Sequence, residues 1–326
     1  MAGFIEFDEL PRLYNPPEGV VANANNRITD EAYPFYLSYL FEPPHRLRRI
    51  EQLLGQRQRH SPEQAAAFQL DHLSLHARDL IAALRSELEI VSGEDEIITT
   101  AAARLLAWDG ECGVASVEAA IFHLMHQHLL RELLAPVLGE NAFRAYIEIL
   151  NQCIAPTDRI FADPTSPWFT RRSRNDLVKL ALSGACNELQ TRFGPHMESW
   201  RWGEVHQLFQ HHGLARIDLF KSLVGIGPVP TPGDGMTVGV GFYRHSNPYA
   251  QTVGASLRFA VEAGPSMRSG FVLPSGQSGH PTSVHYKDQT DLWLGGGRID
   301  ISRPTADADC LRLNPSGAVA SRPATG

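Results

Sequence analysis

Asn23, Asn25 and Asn26 close the run Asn15-Pro16-Pro17-Glu18-Gly19-Val20-Val21-Ala22-Asn23-Ala24-Asn25-Asn26-Arg27, and their amides are the side chains best suited to chemistry in this chain. A turn built from Asn-Pro-Pro and Gly leads into alternating apolar and polar residues, the pattern of a strand. On such a strand Val21, Asn23 and Asn25 share one face, with Val20, Ala22, Ala24 and Asn26 on the other. An amide held on a rigid strand is a neutral donor able to stabilise an oxyanion as it develops. The alternative is that these residues only close a turn.

The remaining candidates read as structural. Gly276-Gln277-Ser278-Gly279-His280 nearly spells a nucleophile elbow, but His280 stands where the last Gly is needed. His72 and His76 are spaced as zinc ligands on a helix without the accompanying HExxH carboxylate. His123, His126 and His128, and likewise His206, His211 and His212, read as packed or solvent-facing histidines, so no metal site is expected. Cys112, Cys153, Cys186 and Cys310 are far apart and read as small apolar residues. Asp109, Asp234 and Asp288 lie in turn-like surroundings and suit caps better than a catalytic carboxylate pair.

The Asn run, preceded by Leu10-Pro11-Arg12-Leu13-Tyr14, resembles a segment of the penicillin acylase (penicillin amidase) family. The resemblance continues through Leu105-Leu106-Ala107-Trp108-Asp109-Gly110, Trp200-Arg201-Trp202-Gly203-Glu204-Val205-His206, Gly254-Ala255-Ser256-Leu257-Arg258-Phe259 and Leu273-Pro274-Ser275-Gly276-Gln277-Ser278-Gly279-His280-Pro281, followed by His285-Tyr286-Lys287-Asp288-Gln289. These segments in this order make it specific. The family comprises N-terminal-nucleophile hydrolases that cleave linear amides in penicillins, cephalosporin precursors or acyl-homoserine lactones.

The resemblance assigns Asn25 to half of the oxyanion hole and makes Asn23 a neighbour that orients the site. It aligns Arg46, in Pro44-His45-Arg46-Leu47-Arg48-Arg49-Ile50, with an Arg near the catalytic centre of penicillin-cleaving relatives. A guanidinium there could tune the nucleophilic amine or hold Asn25 through its fork of donors. A solvated basic helix start is the alternative. The family nucleophile is a Ser freed by self-cleavage at the start of the large subunit, and its α-amino group is the base. Met1-Ala2-Gly3-Phe4 corresponds to a point already well inside that subunit, so the chain is expected to be a C-terminal portion, inactive alone. Its expected partners are a small N-acyl substrate and the missing N-terminal part. Calcium occurs in some relatives, but the Asp that helps bind it has no clear counterpart in Tyr33–Phe41, so no cofactor is expected. The full-length family is expected in the periplasm; nothing in this sequence fixes a compartment.

At 326 residues, 43% hydrophobic and 20% charged, the chain has ample material for a core. A net charge of -7 without a Lys/Arg block argues against nucleic acid, and no apolar run reaches membrane-spanning length.

The expected fold class is α+β, part of an αββα sandwich of the N-terminal-nucleophile type with a large helical insertion. Residues 1–42 read as sandwich strands (Phe4–Phe7 and Val20–Asn25), 43–215 as the helical insertion, 216–315 as the C-terminal strands and 316–326 as a flexible tail. Within the insertion, helices are expected after Pro43-Pro44, from the Ser61-Pro62-Glu63-Gln64 capping box to about Glu89, from Ser116 to Gly139, and over Glu140–Cys153, Arg174–Phe193 and Trp202–His211. Strands are expected at Thr237–Phe242, Ser256–Val261, Phe271–Leu273, Leu292–Leu294 and Leu311–Leu313. Two other functional readings stay open: a truncated product or half of a split enzyme, and a binding module that keeps the scaffold without the chemistry.

Overall fold

A computed structural model describes residues 3–302 apart from 58, 92–94, 218–219, 221–223 and 265–267. Leu311–Leu313, Cys310 and the expected tail lie outside the described residues.

Helices fill the middle of the chain. They are α1 (His45–Leu54), α2 (Pro62–Phe68), α3 (Leu75–Ala83), α4 (Arg85–Val91), α5 (Glu96–Ala107), α6 (Val117–Leu138), α7 (Glu140–Ile147), α8 (Ile154–Ala162), α9 (Arg174–Phe193) and the single turn α10 (Trp202–Val205). The core forms around α6, whose Ala120, Ile121, Phe122, Leu124, Met125 and Leu129 are all fully buried. Buried residues take up most of the circumference of its first four turns, with Glu118, Gln127 and His128 partly exposed, so neighbours must cover most of its sides. α5 and α9 supply part of that cover through Leu105, Leu182 and Leu189.

The predicted helix signals act as read. Ser61 Oγ accepts the Gln64 N–H while Gln64 Oε1 accepts the Ser61 N–H, a complete capping box. Ser116 Oγ caps α6 by accepting the Ala119 N–H, and Gly139 ends it at φ +76°, where a Cβ would be strained. α9 occupies the predicted Arg174–Phe193.

Several elements differ from expectation. The helix opened at Ser61 ends at Phe68 because the following residues pair elsewhere. Leu73 bridges Glu111, the Ser74 N–H reaches Gly110 O, and the Cys112 N–H reaches His72 O. The helix expected from Trp202 stops at Val205, and Gln207–Gln210 is a strand, β1. Leu292–Leu294 belongs to a short helix, α11 (Thr290–Leu294), whose Trp293 is buried against Leu208 and Val272.

Two small sheets complete the chain. β1, β2 (Ile226–Pro230), β3 (Gly241–Arg244) and β4 (Asn247–Gly254) are ordered β2-β1-β4-β3. The β1/β4 pair is parallel and the other two pairs are antiparallel. β5 (Arg258–Val261), β6 (Ser269–Val272) and β7 (Ile299–Asp300) form an antiparallel sheet. The strand expected at Thr237–Phe242 begins at Gly241 because Asp234–Gly239 is a turn closed by Thr237 Oγ1. The fold class is α+β, as expected.

The N-terminal strands are absent. Phe7–Glu9 is a 3-10 turn, and Val20–Asn25 is irregular backbone followed by an isolated bridge from Asn26 to Glu42. The Pro-rich turn does form, with the Gly19 N–H donating to Pro16 O at 2.9 Å.

Candidate active site

Asn25 sits in a tight local turn, not on a strand. Its φ is +61°, a left-handed conformation that Asn tolerates better than most residues. Three hydrogen bonds fix it there. Its N–H donates to Asn23 Oδ1 at 2.9 Å, its carbonyl accepts the Glu42 N–H at 2.9 Å, and its Oδ1 accepts from Arg46 Nη2 at 2.9 Å. Asn23 supplies the Asx turn, and α1 supplies Arg46. The predicted grouping of Asn25, Asn23 and Arg46 is therefore present, on a different backbone.

The expected alternation survives in burial although the backbone is not a strand: Val21, Asn23 and Asn25 are exposed, and Ala24 and Asn26 are buried. Asn26 Oδ1 accepts the Ala24 N–H at 3.0 Å and its Nδ2 donates to Arg27 O at 2.8 Å, so Asn26 holds the turn from beneath.

Arg46 bonds in two directions, its Nη2 also donating to Ala24 O at 2.9 Å. Its guanidinium lies 5.5 Å from the centre of the Phe242 ring on β3, which joins the turn to the four-stranded sheet. Burial lowers its pKa, with Glu42 and Asp234 pulling the other way. An arginine keeps its charge under such a shift. Because the guanidinium offers only donors, it selects the oxygen of the Asn25 amide and turns Nδ2 outward. The result is an exposed N–H donor whose orientation is set by a fixed cation.

Glu42 was missed in the sequence and links this turn to the interior. Its carboxylate accepts from Asn151 Nδ2 at 2.7 Å, and the same Nδ2 donates to Gly235 O. Beyond Asn151 lies a cavity of about 10 Å³ lined by His76, His123, His126, Asp234, Tyr243 and His245, enough for about one water. Burial holds His245 down to about 3 and His206 to about 4, so both are neutral imidazoles near pH 7. His76 is raised instead: burial pulls it down, but Asp158, 3.1 Å away, outweighs that.

The other sequence candidates are structural. Ser278 Oγ accepts the His280 N–H in a turn, and the His285 backbone carbonyl accepts the Ser278 N–H. Cys112, Cys153 and Cys186 are buried, and among the described residues none forms a disulfide. Trp200 and Trp202 are fully buried, with the Trp202 Nε1–H donating to Gly233 O.

The sequence profile described as Penicillin amidase matches residues 1–309. This chain belongs to the penicillin amidase family. Penicillin acylase 2 proenzyme of Pseudomonas sp. (strain SE83) is 30% identical over 301 residues, covering 89% of this chain and 37% of that protein. Acyl-homoserine lactone acylase QuiP of Pseudomonas aeruginosa is 27% identical over 323 residues, covering 89% of this chain and 38% of that protein. The chain thus spans little more than a third of these relatives' length. Among solved structures, a thermostable penicillin G acylase from Alcaligenes faecalis in orthorhombic form has the same fold, at a TM-score of 0.56 and 19% identity. That match covers 97% of this chain and 61% of the other.

Proposed function

We propose that this penicillin amidase family chain carries the oxyanion-stabilising part of an amidohydrolase that cleaves the linear amide of a small N-acyl compound. Asn25 Nδ2 donates to the oxygen that becomes negative when the acyl carbon turns tetrahedral. The nucleophile in this reading is an N-terminal Ser contributed by sequence beyond these 326 residues, with its own α-amino group as base. β-Lactam side chains and acyl-homoserine lactones are the two substrate classes suggested by the relatives' names.

The observation that carries the reading is the orientation of Asn25, exposed on one side and fixed on the other by Arg46, Asn23 and Glu42. A donor ordered before the reaction need not reorganise during it, and one such donor is typically worth about 3 kcal/mol in the transition state. Exposed apolar side chains before α1 also support it. Phe4, Phe7, Tyr14, Val21, Tyr36 and Tyr39 are each at least 67% exposed, a surface suited to burial against further sequence.

The test reconstitutes the enzyme by co-expressing the chain with the complementary portion of a close relative, assayed on chromogenic phenylacetyl and long-chain acyl amides. Asn25→Gly is the informative change, since Gly accepts the positive φ at no cost and removes only the amide. It is expected to lower kcat about a hundredfold with little change in KM. Asn25→Asp should be at least as damaging, because a carboxylate repels the oxyanion. Wild-type kcat in Asn25→Gly, or serine-inhibitor-sensitive turnover by the chain alone, would overturn the proposal.

A further inference from the structure

Cys112, His123 and Asp234 converge in the interior, and none of them is hydrogen-bonded to Asn23, Asn25 or Arg46. Cys112 Sγ lies 3.7 Å from His123 Nε2 and 3.8 Å from Asp234 Oδ2, and His123 Nε2 lies 3.5 Å from Asp234 Oδ2. All three side chains are buried. We propose that they form a structural transition-metal site of the zinc class, independent of the acylase reading.

Geometry is the first argument. A tetrahedral ion with Zn–S near 2.3 Å and Zn–N and Zn–O near 2.0–2.2 Å holds its ligand atoms about 3.4–3.6 Å apart. The histidine–aspartate separation lies inside that range, and the two sulfur separations exceed it by about 0.1–0.2 Å. They fit hydrogen bonds poorly. At 3.5 Å the imidazole and carboxylate are beyond a good N–H···O contact, and both sulfur contacts are long.

The supporting contacts are those of a metal ligand set. His123 Nδ1 lies 2.9 Å from Tyr243 Oη, which orients the ring so that Nε2 faces Cys112 and Asp234. Trp202 stacks on the same ring at 4.3 Å between centroids. Asp234 Oδ1 accepts the Met236 N–H at 2.6 Å, which leaves Oδ2 for the site. The Cys112 backbone is held on both sides, its N–H donating to His72 O and its carbonyl accepting from Gly233. The neighbouring cavity is lined by both His123 and Asp234 and has room for one water, the fourth ligand.

Charge is the second argument. A divalent ion with one thiolate, one carboxylate and one neutral imidazole sums to zero, the state that burial favours. Binding forms one metal–sulfur bond and releases the thiol proton to solvent. Fully buried, Cys112 cannot act as a nucleophile toward an external substrate. The ion would tie the segment after α5, helix α6 and the turn before β3 together.

Cobalt reports on such a site without any activity assay. The full chain, refolded from denaturant with Co²⁺, should show a thiolate-to-cobalt charge-transfer band at one equivalent, and chain expressed with zinc should retain one zinc. Cys112→Ser should abolish the band and Cys186→Ser should leave it unchanged. Tyr243→Phe should keep the band while weakening the metal about 10- to 100-fold. Wild-type chain that shows no band and no retained zinc would overturn the proposal, as would a band that survives in Cys112→Ser. If Cys112→Ser does not fold, the wild-type spectrum and its loss after thiol alkylation in denaturant decide the matter.

Discussion

Arg46 donates from one nitrogen to both Ala24 O and Asn25 Oδ1, so an alanine would lose both bonds at once. Such a residue acts on the reaction only through the position of Asn25. In the reconstituted enzyme, Arg46→Ala should lower kcat about tenfold or more, the equivalent of one charge-assisted hydrogen bond, with KM nearly unchanged. Arg46→Lys keeps the charge but lacks the planar fork and should recover stability more than kcat. Asn26→Ala should do the reverse. It leaves the Ala24 N–H without its partner and should cost about 1–2 kcal/mol in urea unfolding, with kcat little changed. A kcat loss in Asn26→Ala larger than in Arg46→Ala would show that Asn26 is the functional amide. The Asn25–Arg46 pairing was legible in the sequence because the residues resemble a known family. The turn that carries Asn25 was not, because an Asx turn and an alternating strand can share one pattern of small and polar residues.

At the level of elements, caps and core divide the stability. Gly139 has open space around the position of a Cβ, so Gly139→Ala isolates the backbone cost of a positive φ. It should destabilise the chain by about 1 kcal/mol, read from the urea midpoint. Ser116→Ala removes the α6 cap and should cost a similar ~1 kcal/mol. Hydrogen exchange should rank the elements, with the inner faces of α6 and α9 protected to the greatest depth. β5 to β7 should exchange sooner, since Phe259 and Val261 are about half exposed. Equal protection in β5 and α6 would contradict this ranking. Helix ends were legible because a cap and its hydrogen bond lie within four residues. The break after Phe68 was not, because its cause is pairing with residues 110–112.

For the whole molecule, buried histidines set the response to acid. His206 and His245 are held neutral to about pH 4 and 3, whereas an unfolded histidine protonates near 6.5. Between those values the unfolded chain binds more protons, so stability falls as pH drops below 6.5. At pH 5 each such group costs the fold about 2 kcal/mol. His76 works in the opposite sense: its raised pKa adds stability that is fully present below 6.5 and lost as pH rises through the folded value. His72, also lowered by burial to about 4, adds to the same loss, so urea unfolding should show several kcal/mol less stability at pH 5 than at pH 7. His245→Gln should flatten that slope, by up to about 1.4 kcal/mol per pH unit. An unchanged slope would mean that His245 is solvated.

By itself the sequence determined what depends on neighbours along the chain: the α+β class, the capped helices, and the turn at Pro16–Gly19. Together with its family resemblance it also placed the functional weight on Asn25 and Arg46. Tertiary structure decided the backbone that carries Asn25, because its left-handed turn depends on the Glu42 bridge and on Arg46 reaching back from α1. It also decided that Leu292–Leu294 packs as a helix, since Trp293 is buried against Leu208 and Val272. Most of all it brought Cys112 to Asp234, 122 residues away. Local periodicity carries no information about such an approach, which exists only once α6 is buried and the chain closes around it.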